Sequence, residues 1–199
     1  GAVKVAQSIH EIVDGFCVSN IDEALELREA NIKEDILILG VTMPDEVALA
    51  RKYNISLTVA SQEWFELAKN QEVDLTDLQV HIKIDSGMGR IGLRNSDEAN
   101  LLIANLQNEG VDVSGIFTHF ATADEIDIRK FQEQLETFTD IVKHLTYKPE
   151  IVHASNSATS VWHSETIFSA VRLGIVMYGL NPSGNTLRMP FGIKKNIRS

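Results

Sequence analysis

Cysteine is nearly absent: Cys17 is the only one in 199 residues. An internal disulfide is therefore impossible, and a reducing compartment is the natural expectation. Positive charge is also scarce. Lys and Arg number 18 against 28 Asp and Glu, a net charge of −10, which argues against a nucleic-acid partner and against an anionic membrane surface. No apolar run is long enough to cross a bilayer; the most hydrophobic stretch, "FSAVRLGIVMYGL", is short and carries Arg172 in its middle. The opening "GAVKVAQSIHEI" lacks the apolar core of a signal peptide. His10, His144, His153 and His163 show no metal-ligand spacing, and neither a Walker loop nor a nucleophile elbow occurs. The expectation is a soluble, cytoplasmic protein without a metal centre.

What is present is a repeated unit. Short, nearly continuous apolar runs alternate with stretches of helical period, the pattern of parallel strands buried on both faces. The runs predict strands at 16–20, 35–40, 56–61, 79–85, 113–120, 150–155 and 169–179. Helix starts stand between them. Asn20 with Glu23 reads as a capping box, Pro44 with Asp45 and Glu46 suits a first turn, and Ser61 and Ser96 each precede an amphipathic run. "DIRKFQEQLETFTDIVKHL" is the longest helical pattern, and no linker occurs before about residue 181.

Seven β-then-α units predict an α/β fold of the (β/α)8 barrel type, with an open doubly wound sheet as the alternative. The count is one strand short, and the chain opens in a helical segment. A first strand is therefore expected before Gly1. The expected domain is a barrel over 1–180 with seven of its eight strands, followed by a tail over 181–199.

In such barrels chemistry gathers at the C-terminal strand ends. There the sequence places "SGMGR" with Arg90, "THF" with His119, Asn156 and Ser157 at a helix opening, and Arg172 followed by Gly174. Helix-start amides with Ser and Gly can cradle a phosphate, and a ring beside them can stack on a flat group. This set points to a phosphorylated, planar, anionic ligand. Each residue also has an ordinary use. Gly87 and Gly89 serve any tight turn, His119 could be a structural histidine, and Lys83, in phase with His81 and Asp85, could face either way.

The stretches "KIDSGMGRIG", "GIFTHFATADE", "VHASNSAT" and "VRLGIVMYGLNPS", in this order and spacing, closely resemble the bacterial alanine racemases, over residues 1 to about 184. The resemblance implies the pyridoxal 5'-phosphate barrel of a fold-type III isomerase. Such an enzyme interconverts L- and D-alanine for the cell wall and works as a homodimer. It implies that Arg90 contacts the cofactor's phenolic oxygen and the substrate carboxylate, and that His119 lies against the pyridine ring. Ser157 with the backbone of Gly174 and Ile175 would hold the phosphate, with Asn156 beside them. Arg172, supported by His153, would face the pyridine nitrogen, and Lys83 matches a lysine carbamylated in many members, whose anion orients Arg90. The family's Schiff-base lysine belongs before Gly1, and its tyrosine base belongs to a C-terminal β domain of the partner subunit. Lys4 and Tyr178 can be assigned neither role, so the chain is expected to be a fragment, inactive by itself. Two other classes stay open: a pyridoxal-phosphate homeostasis barrel, and a barrel that binds a phosphorylated ligand without catalysis.

Overall fold

The computed structural model describes residues 1–192. Among the described residues seven strands form, β1 (Gly15–Val18), β2 (Asp35–Val41), β3 (Ser56–Val59), β4 (Gln79–Lys83), β5 (Asp112–Phe117), β6 (Ile151–Ser155) and β7 (Ala170–Val171). They follow one another in chain order, and the registers between β1 and β4 and between β5 and β7 are parallel. The reversal of strand order that defines a doubly wound sheet does not occur. The helices are α1 (Ala2–Ile9), α2 (Ile21–Glu29), α3 (Val47–Lys52), α4 (Gln62–Asn70), α5 (Ser96–Asn108), α6 (Arg129–Lys143) and α7 (Ser157–Trp162).

The chain divides into two compact units. The first holds Gly1–Lys83 and Asp97–Ser114. Its strands β3 and β4 are buried on both faces: Leu57, Val59, Val80 and Ile82 are all fully buried, which explains why they read as unbroken apolar runs. Ala99, Leu102, Ile103 and Leu106 form the inward stripe of α5 at helical spacing. The amide of Asp112 donates to Leu78 O, so the start of β5 lies beside β4. Asn20 caps α2 by accepting from Glu23 N, and Ser61 caps α4 by accepting from Trp64 N. The expected box at Asn20 closes differently, since the Glu23 carboxylate accepts from Ser19 N. Ser96 begins α5 rather than preceding it.

The second unit holds Ile84–Ser96 and the chain from Gly115 onward. Ile84 N donates to Phe117 O here, and β5 pairs with β6 through Gly115, Ile116 and Phe117. The apolar stripe of α6, Phe131, Phe138 and Ile141, also contains Gln134. One expectation is corrected. The strand predicted over 169–179 is two residues long, Ala170–Val171, and Ile175–Tyr178 is a 3-10 turn. The reason is local: Ser157 Oγ accepts from both Gly174 N and Val176 N. Those two amides are thereby drawn to a hydroxyl, and Tyr178 sits in a turn. The expected tail, 181–199, is described only as far as residue 192.

Candidate functional site

The second unit brings most of the expected residues to the C-terminal ends of its strands. β6 ends at Ser155, and Asn156 turns the chain into α7. Its Oδ1 accepts from Ala158 N at 3.0 Å and Thr159 N at 3.1 Å, while Asn156 N donates to Thr159 Oγ1 at 2.8 Å. This capping box fixes Ser157 at the first helical position, where it is 7% exposed. Two backbone amides converge on its Oγ, from Gly174 at 2.8 Å and Val176 at 3.4 Å. A Cβ on Gly174 would stand 3.5 Å from that oxygen, an ordinary van der Waals contact. Ile175 lies between the two amides, half exposed.

Arg172 follows β7 and is half-buried. Its guanidinium donates to Thr118 O at 2.8 Å, to Ala154 O at 3.3 Å and to His153 Nδ1. His153 is buried and stacks on Phe117 with ring centroids 4.7 Å apart, and Arg172 lies over the same Phe117 ring. A cation that cannot be discharged is thus fixed beside the Ser157–Gly174 cradle.

The glycine-rich run forms a closed loop. Asp85 N donates to Leu93 O, and the buried Asp85 carboxylate accepts from Gly87 N at 3.2 Å and Gly89 N at 2.9 Å. Gly87 and Gly89 have φ of 132° and 73°, which side-chain-bearing residues rarely adopt. Arg90 stands exposed on this loop. Ser86 Oγ and Thr118 Oγ1, 2.8 Å apart, tie the loop to the turn that carries half-buried His119. Asn156 Nδ2 reaches Phe120 O in that turn. Lys83 belongs to the first unit, where it is 2% exposed.

Sequence reasoning missed three residues of this arrangement: Asp85 as the loop's anchor, Thr118 as the junction, and Gln134, whose amide bonds the His119 turn. Gln134 had a readable signal, being the polar residue in an apolar helical stripe. Among the described residues there is no group of three or more metal-capable side chains, and no helix is long and apolar enough to cross a membrane.

Comparison with known proteins gives a consistent match. The family profile described as "Alanine racemase, N-terminal domain" covers residues 1–182. The chain is 63% identical over 194 residues to an alanine racemase of Streptococcus mutans, covering 98% of this chain and 52% of that protein. It is 62% identical, again over 194 residues, to one of Streptococcus uberis, covering 98% and 53%. Among solved structures, alanine racemase from E. faecalis superposes with a TM-score of 0.92 at 43% identity, over 98% of this chain and 53% of that one. A histidine racemase from Leuconostoc mesenteroides gives 0.90 at 29% identity, over 98% and 54%. The chain spans about half the length of the relatives it matches.

Proposed function

The chain belongs to the family of alanine racemase N-terminal domains, and we propose that it supplies the pyridoxal-phosphate-binding portion of an enzyme that interconverts L- and D-alanine. The observation that carries this reading is the cradle of Ser157 Oγ with the Gly174 and Val176 amides, set beside the Arg172–His153 pair. Its donor set fits the cofactor: hydroxyl and amide donors suit a phosphoryl group, and a guanidinium suits a ring nitrogen that must stay unprotonated. The bound cofactor supplies an electron-withdrawing ring that acidifies the amino-acid Cα proton.

The residues then divide the work. Ser157 and the backbone at Gly174 and Ile175 bind the phosphate, and Asn156 holds Ser157 in place. Arg172 faces the pyridine nitrogen without giving up a proton, which discourages transamination, and His153 supports it. His119 lies against the ring. Arg90 orients the substrate carboxylate and the cofactor's phenolic oxygen. Residues 1–180 serve as the barrel portion in this reading, and 181–199 lead toward a β domain. The Schiff-base lysine and the tyrosine base belong to the remainder of a longer, homodimeric, cytoplasmic protein that supplies D-alanine for peptidoglycan. Each base ordinarily contributes about 10²–10⁴-fold in rate, so the 199 residues alone are inactive in this reading.

The test is proton exchange at Cα of L-alanine by the longer protein, with other amino acids in parallel because a histidine racemase shares this fold. The isolated chain should bind pyridoxal phosphate without forming a borohydride-reducible lysine adduct. No exchange by the longer protein, or no cofactor binding that depends on Ser157, would overturn the proposal.

A further inference from the structure

We infer that Gln134 is a positioning residue that holds the His119 turn and the glycine loop to one helix; this rests on the functional reading above. Gln134 is 1% exposed in the middle of α6. Its Oε1 accepts from Ala121 N at 2.9 Å and its Nε2 donates to His119 O at 3.2 Å. One primary amide thus spans the backbone on both sides of Phe120, much as a neighbouring strand would. The stem of the same side chain meets the other loop. A Cβ built on Gly87 would stand 3.2 Å from Gln134 Cγ, so the Arg90 loop rests against this residue at its first glycine.

Other side chains hold the turn as well, after the backbone bond from Thr118 N to His153 O at 3.3 Å. Thr118 O accepts from Arg172 and Phe120 O accepts from Asn156. The Phe120 ring meets Phe131, one helical turn before Gln134, edge-on at 5.0 Å. β5 ends at Phe117, and past the Thr118 N bond toward β6 the backbone around His119 is bonded by the Gln134 and Asn156 side chains. At neutral pH an amide side chain offers a donor and an acceptor on one carbon without charge, which an ionised carboxylate does not. The buried position and the two-sided contact therefore mark Gln134 as the link that sets where His119 and the Arg90 loop stand relative to α6.

Three variants separate positioning from mere packing. Gln134→Met keeps the stem and removes both polar ends. Gln134→Glu keeps the acceptor toward Ala121 but faces His119 O with a second oxygen, until protonation restores a donor. Phe138→Leu perturbs the same helix at a fully buried site away from the turn. In the cofactor-free protein, Gln134→Met should speed hydrogen exchange at the Ala121 amide at least about tenfold and move the His119 ring NMR signals. Pyridoxal-phosphate affinity should fall about tenfold. Gln134→Glu should share these changes at neutral pH and lose them on acidification. Unchanged Ala121 exchange and His119 signals, or equal changes in Phe138→Leu at matched loss of Tm, would overturn the role. Failure of the wild-type protein to bind pyridoxal phosphate would instead overturn the functional reading, with exchange and NMR still deciding on Gln134.

Discussion

Arg172 and His153 share a hydrogen bond that can run in one direction only. A guanidinium has N–H donors and no lone pair to offer, so His153 Nδ1 accepts at 2.5 Å and the imidazole carries its proton on Nε2. The same guanidinium donates to Thr118 O and Ala154 O. A permanent cation is therefore clamped by a ring nitrogen and two carbonyls, with Phe117 beneath both partners.

The first prediction follows from that clamp. In the longer protein proposed above, Arg172→Glu replaces a group that cannot release a proton with one that can share it. Racemisation should slow by tenfold or more, about 1.4 kcal/mol of barrier, while pyruvate becomes detectable as a transamination product. Arg172→Lys keeps the charge and loses the fork, and should destabilise the fold by about 1–3 kcal/mol in urea unfolding. An unchanged ratio of racemisation to transamination in Arg172→Glu would remove the assigned role.

Asn156 and Ser157 adjoin each other yet should fail differently. Asn156→Ala removes the cap of α7 and should cost about 1 kcal/mol of stability, with affinity falling only as Ser157 loses its place. Ser157→Ala removes the hydroxyl on which the Gly174 and Val176 amides converge. It should weaken pyridoxal-phosphate binding by about one to two orders of magnitude, as expected for hydrogen bonds to a charged group. Thermal melts and cofactor titrations of the pair check the split. Equal affinities for wild type and Ser157→Ala would contradict the cradle.

The parts legible in the sequence were those governed by short-range rules. Buried parallel strands show as apolar runs, and Asn156, Asn20 and Ser61 announce their caps. The last strand was misread because 169–179 is apolar enough to extend, yet Ser157, seventeen residues before Gly174, takes the amides a ladder would need. No local pattern carries that competition. Asp85 reads as an ordinary polar strand end until the loop folds back and sets Gly87 N and Gly89 N on its oxygen. Parity placed Lys83 with His81 and Asp85, but β4 is buried on both faces, so parity could not say which side was inside.

In the first unit, Asp74 gives a pH dependence of known sign. Its carboxyl is held at about 2 chiefly by the Arg51 guanidinium at 2.7 Å, with Thr76 donating as well. A carboxyl whose pKa is lower in the folded chain adds stability above its ordinary value, and that stability is lost as pH falls toward 2. Tm should therefore drop more between about pH 4 and pH 2 in the wild type than in Asp74→Asn. The pair is solvent-exposed, so 1 M salt should shrink the difference. Asp127, held at about 2 by Arg129, titrates in the same window, and some slope should survive in the variant. Identical pH profiles of Tm would refute the assignment.

Lys83 carries the last prediction. It closes β4 at 2% exposure, between fully buried Ile82 and Ile84. Interiors tolerate an ammonium only where an anion compensates it, whereas a neutral amine is a competent nucleophile. Attack of its nitrogen on carbon dioxide forms an N–C bond, opens one C–O π bond to a carboxylate oxygen and releases the N–H proton to solvent. The side chain passes from a neutral amine to an anion, able to hold an arginine by charge-assisted hydrogen bonds. Protein equilibrated with 13C-bicarbonate should show one carbamate resonance that survives removal of free bicarbonate and vanishes on acidification. The resonance should be missing from Lys83→Arg, which keeps a positive charge and cannot form the adduct. Its persistence in that variant would place the modification on another lysine, and its absence from the wild type would leave Lys83 a buried amine.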